Sequence, residues 1–190
     1  MLMDCVRKHG LYVQTQEIRL GVVNDTGMVI DDELLEDPIF KIVYVGKSEE
    51  YERPTLLHMR TQSETDSQDT IYFYLHTKGI RHFGLPNEQC IIDWIDLMLY
   101  WNIEKWTLAI KKLEKYDTYG CNLCDTHYSG NFWWARRNHI QSLSNTIGSH
   151  YCDPEFWILT KRHNSYCVYK SGFQGMGHYT NKFPRRKYTK

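Results

Sequence analysis

Neither sign of charge is in excess: 23 basic residues stand against 23 acidic ones. That balance argues against a chain that grips nucleic acid mainly through electrostatics, and no nucleic-acid partner is expected. No apolar run is long enough to cross a bilayer, and no apolar segment near the N-terminus marks a secretory signal. The six cysteines lack even spacing. They suit free thiols in a reducing, cytoplasmic setting better than a disulfide framework, and any membrane association would come through partners. Several chemical signatures are also missing. There is no Gly-x-Gly-x-x-Gly and no phosphate loop. No serine sits in a Gly-x-Ser-x-Gly elbow, so a nucleophilic triad is unsupported. No Asp-x-Asp follows any predicted strand, which removes the usual anchor for a divalent cation bound to a diphosphate. Internal repeats and low-complexity tracts are absent too.

What is present is enough chain, 190 residues, for one domain with one sizeable core. Aromatics are plentiful, with 14 Tyr, 7 Phe and 6 Trp, and serve cores as well as stacking against bases or sugar faces. Residues 1–11 read as a helix end closed by Gly10. Residues 17–23 and 39–45 read as strands, separated by an acidic loop with Asp-Thr-Gly as a turn. Pro54 suits the first turn of a helix reaching about residue 65. A polar linker, 63–69, then leads to the segment around which the reading turns.

Residues 70–79 read Thr-Ile-Tyr-Phe-Tyr-Leu-His-Thr-Lys-Gly. The first half predicts a short strand buried on both faces and central in its sheet. The second half turns polar at His76, Thr77 and Lys78, and Gly79 frees the backbone. Ligands of open α/β sheets bind beyond the carboxyl ends of strands, where a cation, a hydroxyl and an imidazole suit an anionic ligand. The plainer account is a strand that reaches the surface. Helix, strand, strand, helix, strand is the order so far, and it predicts a mostly parallel sheet with flanking helices.

Asn87 can cap the next helix. Ile91, Trp94, Ile95 and Met98, then Ile103, Trp106, Ile110 and Leu113, keep helical spacing, either as one long helix or with a bend near Trp101 and Asn102. These Trp residues read as core. Residues 118–123 predict a short strand, and 127–137 predict a loop entering a helix that runs to about residue 144. That stretch, His-Tyr-Ser-Gly-Asn-Phe-Trp-Trp-Ala-Arg-Arg, holds a polar turn, Ser129, Gly130 and Asn131. Gly130 permits close approach of a ligand to the backbone, and Asn131 suits sugar hydroxyls. On a helix, adjacent Trp133 and Trp134 point apart, leaving one in the core and the other available to a ligand or partner. The plainer account is a helix cap with two packing aromatics.

Cys121 and Cys124, with His127 three residues on, have local metal spacing, but no second cysteine pair follows at the usual distance. Asp153 and Glu155 flank Pro154 at an element start. Either carboxylate could act as a general base; an N-capping Asp followed by Pro is the plainer account. The basic segment 181–190 reads as a solvated, frayed tail beyond a single domain of residues 1–180.

Taken in order, Tyr-Leu-His-Thr-Lys-Gly, the Trp-containing helix, Tyr-Asp-Thr-Tyr-Gly-Cys-Asn at 116–122, the Ser-Gly-Asn-Phe-Trp-Trp-Ala stretch and Pro-Glu-Phe-Trp at 154–157 resemble a group of glycosyltransferase-like proteins of bacteria and large DNA viruses. These look related to nucleotide-sugar transferases of the GT-A type and, more distantly, to rhamnan-synthesis proteins. The resemblance covers roughly residues 1–160. It implies a GT-A-type α/β fold and transfer of a sugar from a nucleotide-sugar donor to a glycan or glycoconjugate hydroxyl. It implies donor contacts at His76, Thr77, Lys78 and Gly79, which stand where Asp-x-Asp would hold metal and diphosphate. Lys78 then replaces the metal, and no cofactor is expected, Mn or Mg being doubtful. It implies an acceptor pocket bordered by Ser129, Gly130, Asn131, Trp133 and Trp134, with Glu155 as base and Asp153 second. The nucleotide-binding strand that opens such a fold has no counterpart here. An expectation of a fragment or an inactive relative therefore stands beside the enzyme. The rival classes are a non-catalytic glycan- or protein-binding module on the same scaffold, and a zinc-dependent binding protein built on Cys121, Cys124 and His127.

Overall fold

The computed structural model describes residues 2–27 and 36–189; most of the acidic loop read between the first two strands lies outside the described residues. Helix α1 (Leu2–Lys8) ends at Gly10, whose φ of 73° supplies the left-handed turn. Strands β1 (Ile18–Val23) and β2 (Phe40–Gly46) pair in parallel, with a register shift between Leu20 and Gly21. Helix α2 (Arg53–Gln62) carries Pro54 in its first turn. Strand β3 (Ile71–Tyr74) follows, then α3 (Glu88–Leu99), a π-turn over Tyr100–Glu104 and α4 (Trp106–Leu113). The remaining elements are β4 (Thr118–Gly120), β5 (Trp133–Arg136), α5 (Arg137–Ser142), α6 (Asp153–Trp157), β6 (Ser165–Cys167) and α7 (Gly177–Thr180).

The architecture is mixed α/β with two small sheets, and the expectation of one mostly parallel sheet is corrected. Among the described residues, strands β1 and β2 pair only with each other, while the larger sheet runs β3-β5-β4-β6. Within it β5 is antiparallel to both β3 and β4, and only β4 and β6 are parallel. Strand β3 therefore lies at an edge rather than in the centre. The central place belongs to β5, whose residues were expected to enter a helix. Aromatic residues fit a pleated surface well, and a run of four paired on both sides is held by two ladders that no local signal announces.

Alternation along β5 sends its two indoles to opposite faces. Trp134 stacks on Phe73, with ring centroids 4.5 Å apart, and Tyr119 lies beside it in register. This face packs on Ile91, Trp94, Ile95 and Met98 of α3. Trp133 stacks on Tyr74 at 5.1 Å, on the face that packs against Leu56, Ile140 and Trp157. Both faces of the sheet are thus covered, but β3 is buried only on its Tyr72 and Tyr74 face; Ile71 and Phe73 on the other face are partly buried at the sheet edge, which corrects the expectation of burial on both.

Two further details follow from side-chain spacing. The core positions Met98 and Ile103 are five residues apart, one more than a helical turn provides. The π-turn absorbs the extra residue, with the Lys105 amide bonded to the Tyr100 carbonyl at 3.0 Å. Asn102 sits buried at this bulge, donates to the Met98 carbonyl and receives the Trp134 indole N–H on its own carbonyl. The second detail corrects the expectation of a frayed tail. Phe183 and Tyr188 are buried against Leu97 and Tyr100, and Arg185 reaches Asp96 and Glu104. Its charges face water, while its aromatic side chains belong to the core.

Candidate functional site

The chain leaving β3 is steered by Gly79. Its φ is 68°, and a Cβ there would lie 2.4 Å from Ile91 Cγ2, so only glycine lets the loop pass this close to α3. The approach lays Lys78 across Trp94, with Nζ 4.5 Å from the indole ring centre. Nζ also lies 3.6 Å from Glu155 Oε1 on α6, an ion pair longer than a close hydrogen bond. The Lys78 side chain is 8% exposed and that of Glu155 24%. His178 of α7 stacks on the same indole at 5.0 Å. Thr77 is exposed.

His76 is fixed differently. Its Nε2 lies 3.2 Å from the Gly130 carbonyl and its Nδ1 3.4 Å from Glu52. Both partners are acceptors, and the ring tautomer decides which of the two contacts carries the proton. Glu52 is the hub of this network. It stands at the N-cap position of α2, yet its carboxylate makes no cap. Instead it accepts from the Tyr74 hydroxyl at 3.0 Å and from the Asn131 amide. Burial, reinforced by Glu52, holds the Tyr74 hydroxyl well above its usual range. Asn131 has φ of 58° and is fully buried; its carbonyl oxygen receives the Trp133 indole N–H at 2.7 Å.

Two of the groups predicted separately are therefore brought together: the 76–78 segment touches Gly130 directly and reaches Asn131 through Glu52. Other expectations are corrected. Trp133 and Trp134 are both buried, so neither is presented outward, because a strand between two covered faces has no free side. The space over Gly130 is not open to a ligand either. A Cβ there would meet Met98 Sδ at 2.3 Å and Trp94 at 3.2 Å, so this chain's own α3 makes the close approach. Both ends of the Asn131 amide are occupied internally, and Ser129 is half-buried. Asp153 accepts from the His150 backbone N–H at 2.8 Å and closes the turn before α6, whereas Glu155 faces Lys78.

Cys121, Cys124 and His127 do not converge. Cys121 is buried and receives a long contact from Asn102, while Cys124 is exposed. His127 packs on Phe156, and burial lowers its pKa, with Lys78 adding to the effect and Glu155 opposing it. All six cysteines are unpaired. Surface depressions of about 480 and 440 Å³ lie beside Trp157 and beside the segment 182–187, and neither is lined by His76, Lys78 or Glu155. Among the described residues, no helix is long and apolar enough to cross a membrane.

Sequence reasoning missed Glu52. Its only signal was an acidic residue directly before Arg53 and Pro54, which reads as ordinary helix-dipole complementation. It also left Trp94 as plain core, although this indole carries Lys78 and its buried Nε1–H has no partner among the described residues. Comparisons with protein-family models, curated proteins and solved structures find no match.

Proposed function

We propose that the chain is a glycosyltransferase that moves a sugar from a nucleotide-sugar donor to a hydroxyl of a glycan or glycoconjugate. The observation that carries this reading is the pairing of Lys78 with Glu155, 77 positions apart in sequence and 3.6 Å apart in space. One is suited to neutralise a leaving diphosphate, the other to accept a proton. In the reaction the acceptor oxygen forms the new bond to the anomeric carbon and loses its proton to Glu155. The bond from that carbon to the diphosphate oxygen breaks, and its electron pair leaves with the diphosphate, whose charge Lys78 stabilises. Thr77 and the Gly79 turn lie beside the donor, and Ser129 is the member of the Ser-Gly-Asn group left to meet an acceptor. Glu155 lies beside Lys78, so a bound diphosphate would compete with this carboxylate for the same ammonium.

The test is calorimetric titration with nucleotide-diphosphate sugars, with and without EDTA, followed by turnover assays. Lys78→Met should weaken donor binding about ten- to a hundred-fold, from the loss of charge-assisted hydrogen bonds worth roughly 1.5–3 kcal/mol. Glu155→Gln should leave donor affinity unchanged or tighter, since the competing carboxylate is gone, and should lower turnover. Donor affinity that is unchanged in Lys78→Met, or abolished by EDTA in the parent protein, would count against Lys78 as the metal's substitute. A second reading, a non-catalytic glycan- or protein-binding module, is favoured by the internal use of Asn131, Trp133 and Trp134; it predicts glycan binding without turnover.

A further inference from the structure

At the opposite end of α3 from the start of the Lys78 loop, the π-turn brings a different set of side chains together. Cys5 and His9 are four residues apart, at the end of α1, and so lie on one helical face. The His9 amide still makes a helical bond to the Cys5 carbonyl at 3.1 Å, and its carbonyl accepts the Trp106 indole N–H at 3.1 Å. The end of α1 is thereby tied to the start of α4. Glu104, the last residue of the π-turn, faces this helix end, with its Oε2 3.9 Å from His9 Nε2. One ligand atom from each of Cys5, His9 and Glu104 lies within 4.8 Å of the other two.

We propose that Cys5, His9 and Glu104 form a binding site for a zinc-class transition-metal ion. A thiolate, an imidazole and a carboxylate are the donor types zinc takes, whereas magnesium and calcium prefer oxygen alone. Metal–ligand bonds of about 2.0–2.3 Å in a tetrahedral sphere put ligand atoms roughly 3.5 Å apart, so side-chain rotations of about 1 Å close the site. Three protein ligands leave the fourth position to water, as in exchangeable or catalytic sites. All three residues are partly accessible to solvent, which gives an ion a way in.

The surroundings supply an outer shell. Arg185 donates to both Glu104 oxygens, at 2.7 and 2.5 Å, and also to Asp96 at 3.2 Å. Each carboxylate oxygen has a second lone pair, so Arg185 orients Glu104 without using up its capacity to bind an ion. Asp96 accepts from Tyr188 as well. Around Cys5, burial and the Glu104 and Asp96 charges push the thiol up to about 11, against the pull of Arg185 and Lys8. On binding, the sulfur lone pair forms the bond to the metal and the thiol proton leaves to solvent, one proton per ion. The plainer account is a buried thiol beside a tail-anchoring ion pair. It predicts no metal binding.

Cobalt(II) is the probe, titrated anaerobically into the reduced full chain and read by its d–d absorption and its thiolate-to-cobalt charge-transfer band, with zinc as competitor. One equivalent should bind, with a charge-transfer band that zinc removes. Cys5→Ala should abolish the band, and Cys5→Ser, which keeps the volume, should do the same. His9→Ala and Glu104→Gln should each weaken binding at least ten-fold. Cys121→Ala and Cys124→Ala should change nothing. Circular dichroism and a melting curve on each variant separate lost ligation from lost folding. A band that survives in Cys5→Ser, a band that disappears in Cys124→Ala, or no saturable cobalt binding by the folded parent chain would each overturn the site.

Discussion

Two glutamates organise polar networks in this protein, and they do so in opposite ways. Glu52 and Glu104 are similarly shielded, with side chains 19% and 14% exposed. Glu104 is clamped by the guanidinium of Arg185, whose hydrogen bond holds the carboxyl below its ordinary range. Among the described residues, Glu52 pairs with no lysine or arginine. It collects a phenol, a carboxamide and an imidazole, two of them from deeply buried residues. A carboxylate held by an exposed arginine joins two surfaces at modest energy, because water competes for both charges. A carboxylate that satisfies buried neutral donors is worth more to the fold, because each donor it loses is left unpaired in the interior. The same contrast marks where ligands fit. The Glu52 carboxylate takes up three side chains of its own chain, whereas Glu104, bonded by Arg185, lies beside His9 and Cys5 without a close hydrogen bond to either.

The contrast can be broken by truncating each hub. Glu52→Ala leaves the Tyr74 hydroxyl and the Asn131 amide without their acceptor. At roughly 1–3 kcal/mol for each unsatisfied buried group, it should destabilise the protein by about 4 kcal/mol in urea titration. Glu52→Gln keeps an acceptor oxygen and should lose markedly less. Equal losses for the two variants would show that the charge, rather than the hydrogen bonds, holds the region.

Acid should separate the regions next. Burial lowers His178, stacked on Trp94, to about 4, and burial also lowers His127, His139 and His58. A histidine whose folded pKa lies below its unfolded value of about 6.5 takes up its proton more readily when unfolded. Stability is therefore complete above about pH 6.5 and falls as the pH drops towards 4, by about 3 kcal/mol from His178 alone. His178→Gln should flatten that slope in melting curves recorded across this window. A slope unchanged by the substitution would remove His178 as its main source. Arg185 holds the Glu104 carboxyl below its ordinary range, so that pair is retained further into acid than an unpaired glutamate would be.

The smallest effect should come from Glu104→Ala in metal-free protein. With Arg185 44% exposed, the lost pair should cost about 1 kcal/mol or less in urea titration. A loss as large as that of Glu52→Ala would erase the distinction between the two hubs.

How much of this was legible in the sequence depends on the range of the forces involved. The strands near 18–23, 40–46 and 71–74 follow from local runs of β-branched and aromatic residues, and the end of α1 follows from a single glycine. Helical spacing allowed either one long helix or a bend near Trp101 and Asn102, and the π-turn lies there. The polar end of β3 stood out because three side chains change character at once. Glu155 could be nominated from its place beside Pro154, though its partner could not.

Long-range pairing was the part that could not be read. Residues 133–136 fit the start of a helix or a strand equally well by composition, and only the ladders to β3 and β4 decide between them. That choice moved β3 to an edge and turned both indoles inward. The segment 181–190 is basic and looks solvated, but Phe183 and Tyr188 meet an apolar surface made by residues some ninety positions earlier. Glu52, Tyr74 and Asn131 are each unremarkable locally. Their meeting depends on how α2 and the loop before β5 pack around the end of β3. The sequence by itself determined most of the segments that extend or coil, β5 excepted, where the chain turns, and which side chains could carry charge or bind a metal, because backbone sterics and side-chain periodicity act over a few residues. Only the tertiary structure decided which strands share a sheet, which aromatics are core, and which carboxylate meets Lys78, Arg185 or His76. Those outcomes rest on burial and hydrogen-bond satisfaction between residues that meet only once the chain has closed on itself.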